Sequence, residues 1–134
     1  MKLYLAASSA DIARAKHWRQ KLVDAGIEVT STWIANVERV GAANPRDATL
    51  DQRRGWSFTC LSEVRRSDAF WLLWPHDDSG ALIEFGCAIE CSIMTARPGV
   101  LVVSGDTRKI FCALADEYAA DEEAFAAIVE MGAT

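Results

Sequence analysis

The run AFWLLW, residues 69 to 74, places six apolar residues in a row between Asp68 and Pro75. A strand with one wet face alternates apolar and polar residues, whereas a strand covered on both faces reads as a continuous apolar run. GVLVVSG, residues 99 to 105, repeats the feature, and the helical pattern ALIEFGCAIECSIMT, about 81 to 95, separates the two. Buried strands joined through a helix, with no hairpin signal between them, point to βαβ units and a parallel sheet with helices on both faces.

The rest of the chain fits that plan. KLYLAA, residues 2 to 7, reads as a first strand, and Ser8, Ser9 and Asp11 supply caps for a helix from about 10 to 25 that stops at Gly26. IEVTSTWI, residues 27 to 34, alternates and is rich in β-branched residues, so it reads as the second strand, and 35 to 47 reads as a long loop. Asp47 or Thr49 opens a helix that ends at Arg65, Arg66 and Ser67, with cations suited to a helix C-terminus. PHDDSG is a loop, TRKIFCALA a short helix, Glu117 and Tyr118 a brief fifth strand, and DEEAFAAIVE a closing helix capped by Asp121. At 134 residues, 51% hydrophobic and 25% charged, the chain suits one domain around one core. The expected architecture is a flavodoxin-like (Rossmann-like) α/β domain with strand order 2-1-3-4-5 over residues 1 to 134.

Several function classes are set aside by the same residues. Nineteen acidic against fourteen basic residues and no long basic cluster argue against a nucleic-acid polymer as partner. No apolar segment has the shape of a signal peptide or the roughly 20 residues of a membrane span, so a cytoplasmic protein is expected. Cys60, Cys87, Cys91 and Cys112 show no C-x-x-C spacing and read as buried free thiols. His17 and His76 fall in no H-x-x-x-H pattern, so no metal and no other cofactor is assigned.

In this topology ligands bind beyond the carboxyl ends of the strands, at the switch point between strands 1 and 3. The residues that converge there are Tyr4, Ser8 and Ser9 from the first strand and its loop. His76, Asp77, Asp78, Ser79 and Gly80 come from the third, followed by Glu84 on the next helix. A carboxylate near a helix N-terminus can simply complement the dipole. Glu84, however, stands between Ile83 and Phe85, and a carboxylate in that setting needs a partner or a purpose.

KLYLAASS, RRSDAFWLLWP, DDSGALIEFGCAIE and VLVVSGDTRKIFCAL, in that order along nearly the whole chain, resemble the nucleoside 2-deoxyribosyltransferase-like family. The resemblance implies cleavage of an N-glycosidic bond between a sugar and a nucleobase. The Glu of the family's G-x-x-x-E-x-G motif falls on Glu84 and would attack the anomeric carbon, as in a retaining glycosidase. Tyr4 matches the strand-1 Tyr that would aim Glu84 and keep it ionised, and Asp78 matches the acidic residue that engages the base or sugar. Relatives often carry an Asp where this chain has Cys60, and they tend to carry Gly where it has Ala7-Ser8-Ser9. Ser8, Ser9, Ser79 and Gly80 would contact sugar or phosphate, with a free nucleoside favoured over a 5'-monophosphate.

Trp18 and Trp71 read as core, while Trp33, Trp56 and Trp74 are candidates both for core and for walls of a base pocket, since aromatic faces stack on bases. The 81 to 95 helix is apolar on more than one face. With Ile89, Ile93 and Met94, and with Phe125, Ile128 and Val129, it points to a homodimer or higher homo-oligomer. The alternative to an enzyme is a degenerate nucleotide-binding or sensing module that uses the same cleft. A phosphate-binding enzyme of another type is disfavoured, because no G-x-G-x-x-G or G-x-x-x-x-G-K follows strand 1.

Overall fold

The computed structural model describes residues 1–40, 48–75, 80–106 and 108–133. Five parallel strands, β1 (Lys2–Ala6), β2 (Glu28–Val29), β3 (Ala69–Leu73), β4 (Val100–Ser104) and β5 (Asp116–Tyr118), form one sheet in the order 2-1-3-4-5. This is the flavodoxin-like arrangement. Every residue of β3 is buried, as its unbroken apolar run requires.

The helices α1 (Ile12–Asp24), α2 (Trp33–Val40), α3 (Leu50–Arg66), α4 (Gly80–Thr95) and α5 (Asp121–Gly132) surround the sheet. Alternate strand residues serve opposite layers. Trp71 meets Trp18 of α1, and Trp18 in turn meets Phe125 of α5. On the other face Tyr4 stacks on Phe70 and Phe70 on Phe85 of α4, with ring centroids 5.7 and 6.0 Å apart. α1 ends where Gly26 takes φ +81°, a backbone position that favours glycine. α3 begins at a capping box: the Thr49 hydroxyl accepts from Gln52 N, and the Gln52 side chain accepts from Thr49 N.

Two expectations change. The second strand does not run through 27 to 34: it is two residues long, and Trp33 opens a helix that takes in the end of the expected strand and the start of the expected loop. The reason is visible on β1. Leu5 N donates to Ser31 Oγ at 3.0 Å and the Trp33 indole donates to Leu5 O at 2.9 Å, so side chains take the hydrogen bonds that a longer β2 would have made. Trp33, Ile34 and Val37 then fall on one helical stripe against the core. Asp121 is also not a cap: Ala120 holds that position, and the Asp121 carboxylate turns inward instead.

Candidate functional site

Three elements bring polar side chains together on the α3/α4 side of the sheet. Tyr4 projects from β1, Cys60 lies midway along α3, and Glu84 lies in the second turn of α4 rather than the first. Glu84 and Cys60 both act on the Tyr4 phenol, and Glu84 acts on the Cys60 thiol, so the three lie near one another. Tyr4 Oη and Glu84 Oε2 are both buried, and neither has a hydrogen-bond partner among the described residues. The phenol is near enough to act on the carboxyl group, yet the pair does not form a hydrogen bond of normal geometry.

The electrostatics follow from burial. Loss of solvent pushes the Glu84 carboxyl up to about 7; Tyr4 draws it back in part, and the charge of Glu63 adds to the rise. The expectation that Tyr4 keeps Glu84 ionised meets the larger effect of burial, and a second-turn residue is past the reach of the helix dipole. Near neutral pH both forms are populated. Cys60 is pushed up to about 11, chiefly by burial and then by Glu84, so its thiol stays protonated. Burial and the same carboxylate also hold the Tyr4 phenol well above its usual range.

Glu63 is a member of the site that the sequence reading passed over. It is buried, and its two oxygens accept from Thr32 N at 2.9 Å and from Thr32 Oγ1 at 2.5 Å, which ties α3 to the start of α2. A signal existed, because Trp56, Cys60 and Glu63 follow at i, i+4 and i+7 and so share one stripe of α3. Trp56 is half-buried on that stripe, one turn before Cys60.

The other candidates are distributed unevenly. Ser8 is buried and caps the short 3-10 turn that follows β1, with its Oγ accepting from Ala10 N, while Ser9 opens that turn. Gly80 begins α4. Trp33 is 9% exposed and its indole N–H is engaged by Leu5. Asp78 and Ser79, with His76 and Asp77, lie outside the described residues, as does the 41 to 47 part of the expected loop. Trp18 and Trp71 are core, and Asp68 sits at the far end of the sheet, accepting from Lys2 N and paired with Arg97. Of the four cysteines only Cys112 is fully buried. Cys60, Cys87 and Cys91 are half-buried, which corrects the reading of four buried thiols.

Another carboxylate, half-buried, lies on the opposite face. Asp121 Oδ1 accepts from Arg14 Nη2 at 2.7 Å and from Ser104 Oγ at 2.6 Å; Oδ2 accepts from Arg14 Nε at 2.7 Å and from the Trp18 indole at 3.1 Å. Arg14 also donates to Trp74 O, and the Trp71 indole donates to Ser104 Oγ. Burial would raise the Asp121 carboxyl, but these hydrogen bonds and the Arg14 charge hold it below its ordinary value. Each Asp121 oxygen thus accepts two hydrogen bonds, whereas Tyr4 Oη and Glu84 Oε2 have no partner among the described residues.

No protein-family model matches the chain, and neither a curated protein nor a solved structure does. The case for an activity is carried by the side chains. Among the described residues no group of three or more His, Cys, Asp or Glu is placed to hold a metal ion, and no helix is long and apolar enough to cross a membrane.

Proposed function

We propose that this protein cleaves or exchanges the N-glycosidic bond of a nucleoside, with Glu84 as the covalent nucleophile. The observation that supports it most is the gathering of Tyr4, Cys60 and Glu84 from three separate elements, with two of their buried oxygens left unpartnered. A buried orphan oxygen costs about 1–3 kcal/mol, and a bound sugar hydroxyl would relieve that cost. A Glu84 Oε attacks the anomeric carbon, the bond to the base nitrogen breaks, and its electron pair leaves with the base. Asp78, assigned through the family resemblance, supplies the proton that the base requires. The glycosyl ester then passes its sugar to water or to a second base, whose proton returns to Asp78, and Glu84 is released as a carboxylate.

The other site residues take the roles expected of them. Tyr4 aims Glu84, Ser8, Ser9, Ser79 and Gly80 meet the sugar side, and Trp33 and Trp56 flank the base. The reading places the enzyme in the cytoplasm, without a cofactor, acting on a small molecule rather than a polymer.

Incubation with a panel of nucleosides, with and without a second free base, reads release and exchange by chromatography. Glu84→Gln is expected to lose at least a thousandfold in either activity while staying folded. Base release by Glu84→Gln at the wild-type rate removes the covalent mechanism. Wild-type activity should rise through pH 7 as Glu84 ionises, because the nucleophile is the deprotonated form.

One observation favours the second reading, a nucleotide-binding module without turnover. The Cys60 thiol, held near 11, is neither an acid nor a strong acceptor at neutral pH where relatives often carry Asp. Tight nucleoside binding with no base release by any member of the panel would select it.

Assembly belongs to the same proposal. Ile89 and Ile128 are in this chain's own core, contrary to their assignment as spare surface, and Phe125 packs on Trp18. Ile83, Ile93 and Met94 of α4 and Phe58 of α3 remain exposed. A two-fold homodimer with α4 in or beside the interface would cover them. Light scattering at micromolar concentration should give twice 14.7 kDa, and the single-chain mass removes the dimer.

A further inference from the structure

α4 carries three sulfur-bearing residues on one stripe that the proposed chemistry does not use. Cys87, Cys91 and Met94 follow at i, i+4 and i+7, which confines them to about 60° of the helix surface. The two thiols are free, half-buried and separated by 3.9 Å between sulfurs. Met94 is 77% exposed one turn further along. On a helix, four residues is the spacing that brings two ligands onto one face, so C-x-x-x-C is the relevant pattern here and C-x-x-C is not.

We propose that Cys87, Cys91 and Met94 form a surface site for a soft monovalent cation, copper(I). With metal–sulfur bonds of about 2.3 Å, a 3.9 Å sulfur separation subtends about 116° at the ion, an angle suited to three-coordinate binding. Zinc would call for further Cys, His or carboxylate donors, and among the described residues no group of three such side chains exists. The donor that the helix does supply is a thioether, and thiolate with thioether is a set that suits copper(I). Two thiolates and one monovalent ion leave a single negative charge; burial and Cys91 oppose a charge on Cys87, and the Arg65 guanidinium of α3 offsets them in part. The step is ligand exchange without electron transfer: two S–H protons go to solvent, two copper–thiolate bonds form, and the incoming carrier leaves.

The test does not depend on activity, but the site shares Met94 with the proposed dimer surface, so copper(I) and a second copy of the chain compete for that residue. Reduced protein is titrated anaerobically against copper(I) held by a chromophoric chelator, and the colour lost measures the metal withdrawn. Wild type is expected to take one equivalent per chain. Cys87→Ser/Cys91→Ser should bind at least a hundredfold more weakly, and Met94→Leu, a change at an exposed position that leaves the fold intact, about tenfold more weakly. Circular dichroism checks the fold of the double variant. Equal withdrawal by wild type and the folded double variant overturns the site, as does an unchanged affinity in Met94→Leu. Displacement of the copper by equimolar zinc overturns the choice of ion.

Discussion

The two faces of the sheet each cover a half-buried carboxylate, Asp121 on one and Glu84 on the other, and the surroundings of the two differ in kind. Under α1 and α5, Asp121 accepts four hydrogen bonds, and the groups that donate them are themselves held by Trp71 and by the Trp74 carbonyl. Beneath α3 and α4, Glu84 leaves one oxygen buried and unpartnered beside an unpartnered Tyr4 hydroxyl. The polar groups of the first set satisfy one another, which holds the ends of β3 and β4 to α1 and α5. Those of the second are dehydrated and left open, an arrangement that costs stability and is repaid only if a ligand supplies the missing partners. The contrast separates satisfied from unsatisfied polarity more clearly than residue type does: Asp121 and Glu63 are both held by hydrogen bonds, whereas Glu84 keeps an oxygen without one.

The largest expected effect comes from breaking the satisfied cluster. Asp121→Ala strands the Arg14 cation, the Trp18 indole and the Ser104 hydroxyl together, and should cost about 3 kcal/mol in urea unfolding. Its pH signature follows from the depressed carboxyl. A group whose folded pKa is lowered contributes stability above its unfolded pKa and loses it as pH falls through the folded value, so wild type and Asp121→Ala should converge in acid. A loss below about 1 kcal/mol would show that the network is ornamental.

Glu84→Gln should act in the opposite direction. The Glu84 carboxyl stands at about 7 in the folded protein against 4.5 for an ordinary glutamate, so the fold prefers its protonated form. Between those values the unfolded chain has released a proton that the folded chain retains, and stability falls as pH rises through the window. The accumulated penalty, present in full above pH 7, is about 3 kcal/mol. The neutral amide avoids it, so Glu84→Gln should be more stable than wild type at pH 8 and similar to it at pH 4. Equal stability at pH 8 would mean that Glu84 is already compensated, which would remove the reason to regard the cluster as open.

How much of this contrast could be read in the sequence depends on the range of the interaction involved. β3 and β4 were legible because burial on both faces requires an apolar residue at every position. Tyr4 and Glu84 were legible as neighbours because parallel topology fixes which strand ends and helices adjoin, whereas Cys60 was singled out only through the family resemblance. β2 was misread because its termination depends on the Ser31 hydroxyl and the Trp33 indole replacing ladder bonds on Leu5, a choice made in three dimensions. Asp121 looked like a cap for the same reason: a cap is a local pattern, whereas its partner Arg14 lies 107 residues away.

Cys60→Asp sharpens the contrast by adding a third carboxylate beside Glu84 and Glu63. Like charge raises Glu84 further, so the pH at which activity rises should move above 7 by about one unit, with turnover increased on the alkaline side where a hydrogen-bond acceptor for the base is also gained. A profile unmoved by the substitution would mean that Cys60 does not adjoin Glu84.

The smallest effect belongs to Tyr4→Phe, and its sign carries the information. Tyr4 is fully buried and its ring stacks on Phe70 at 5.7 Å, a contact that phenylalanine keeps. What the substitution removes is a hydroxyl that burial has stripped of water and that no described residue accepts or donates to. Deleting such a group recovers part of its desolvation cost, so the variant should be stabilised by about 1 kcal/mol. A typical buried tyrosine hydroxyl with a partner would show a loss of similar size instead. The same deletion withdraws the one group that lowers the Glu84 carboxyl, so the rise of activity with pH should move upward, and turnover at pH 7 should fall even as the fold gains stability. Opposite signs in stability and activity are what a hydroxyl reserved for a ligand produces. Loss of both together would place Tyr4 with Asp121 among the structural groups and leave Glu84 without the neighbour that aims it.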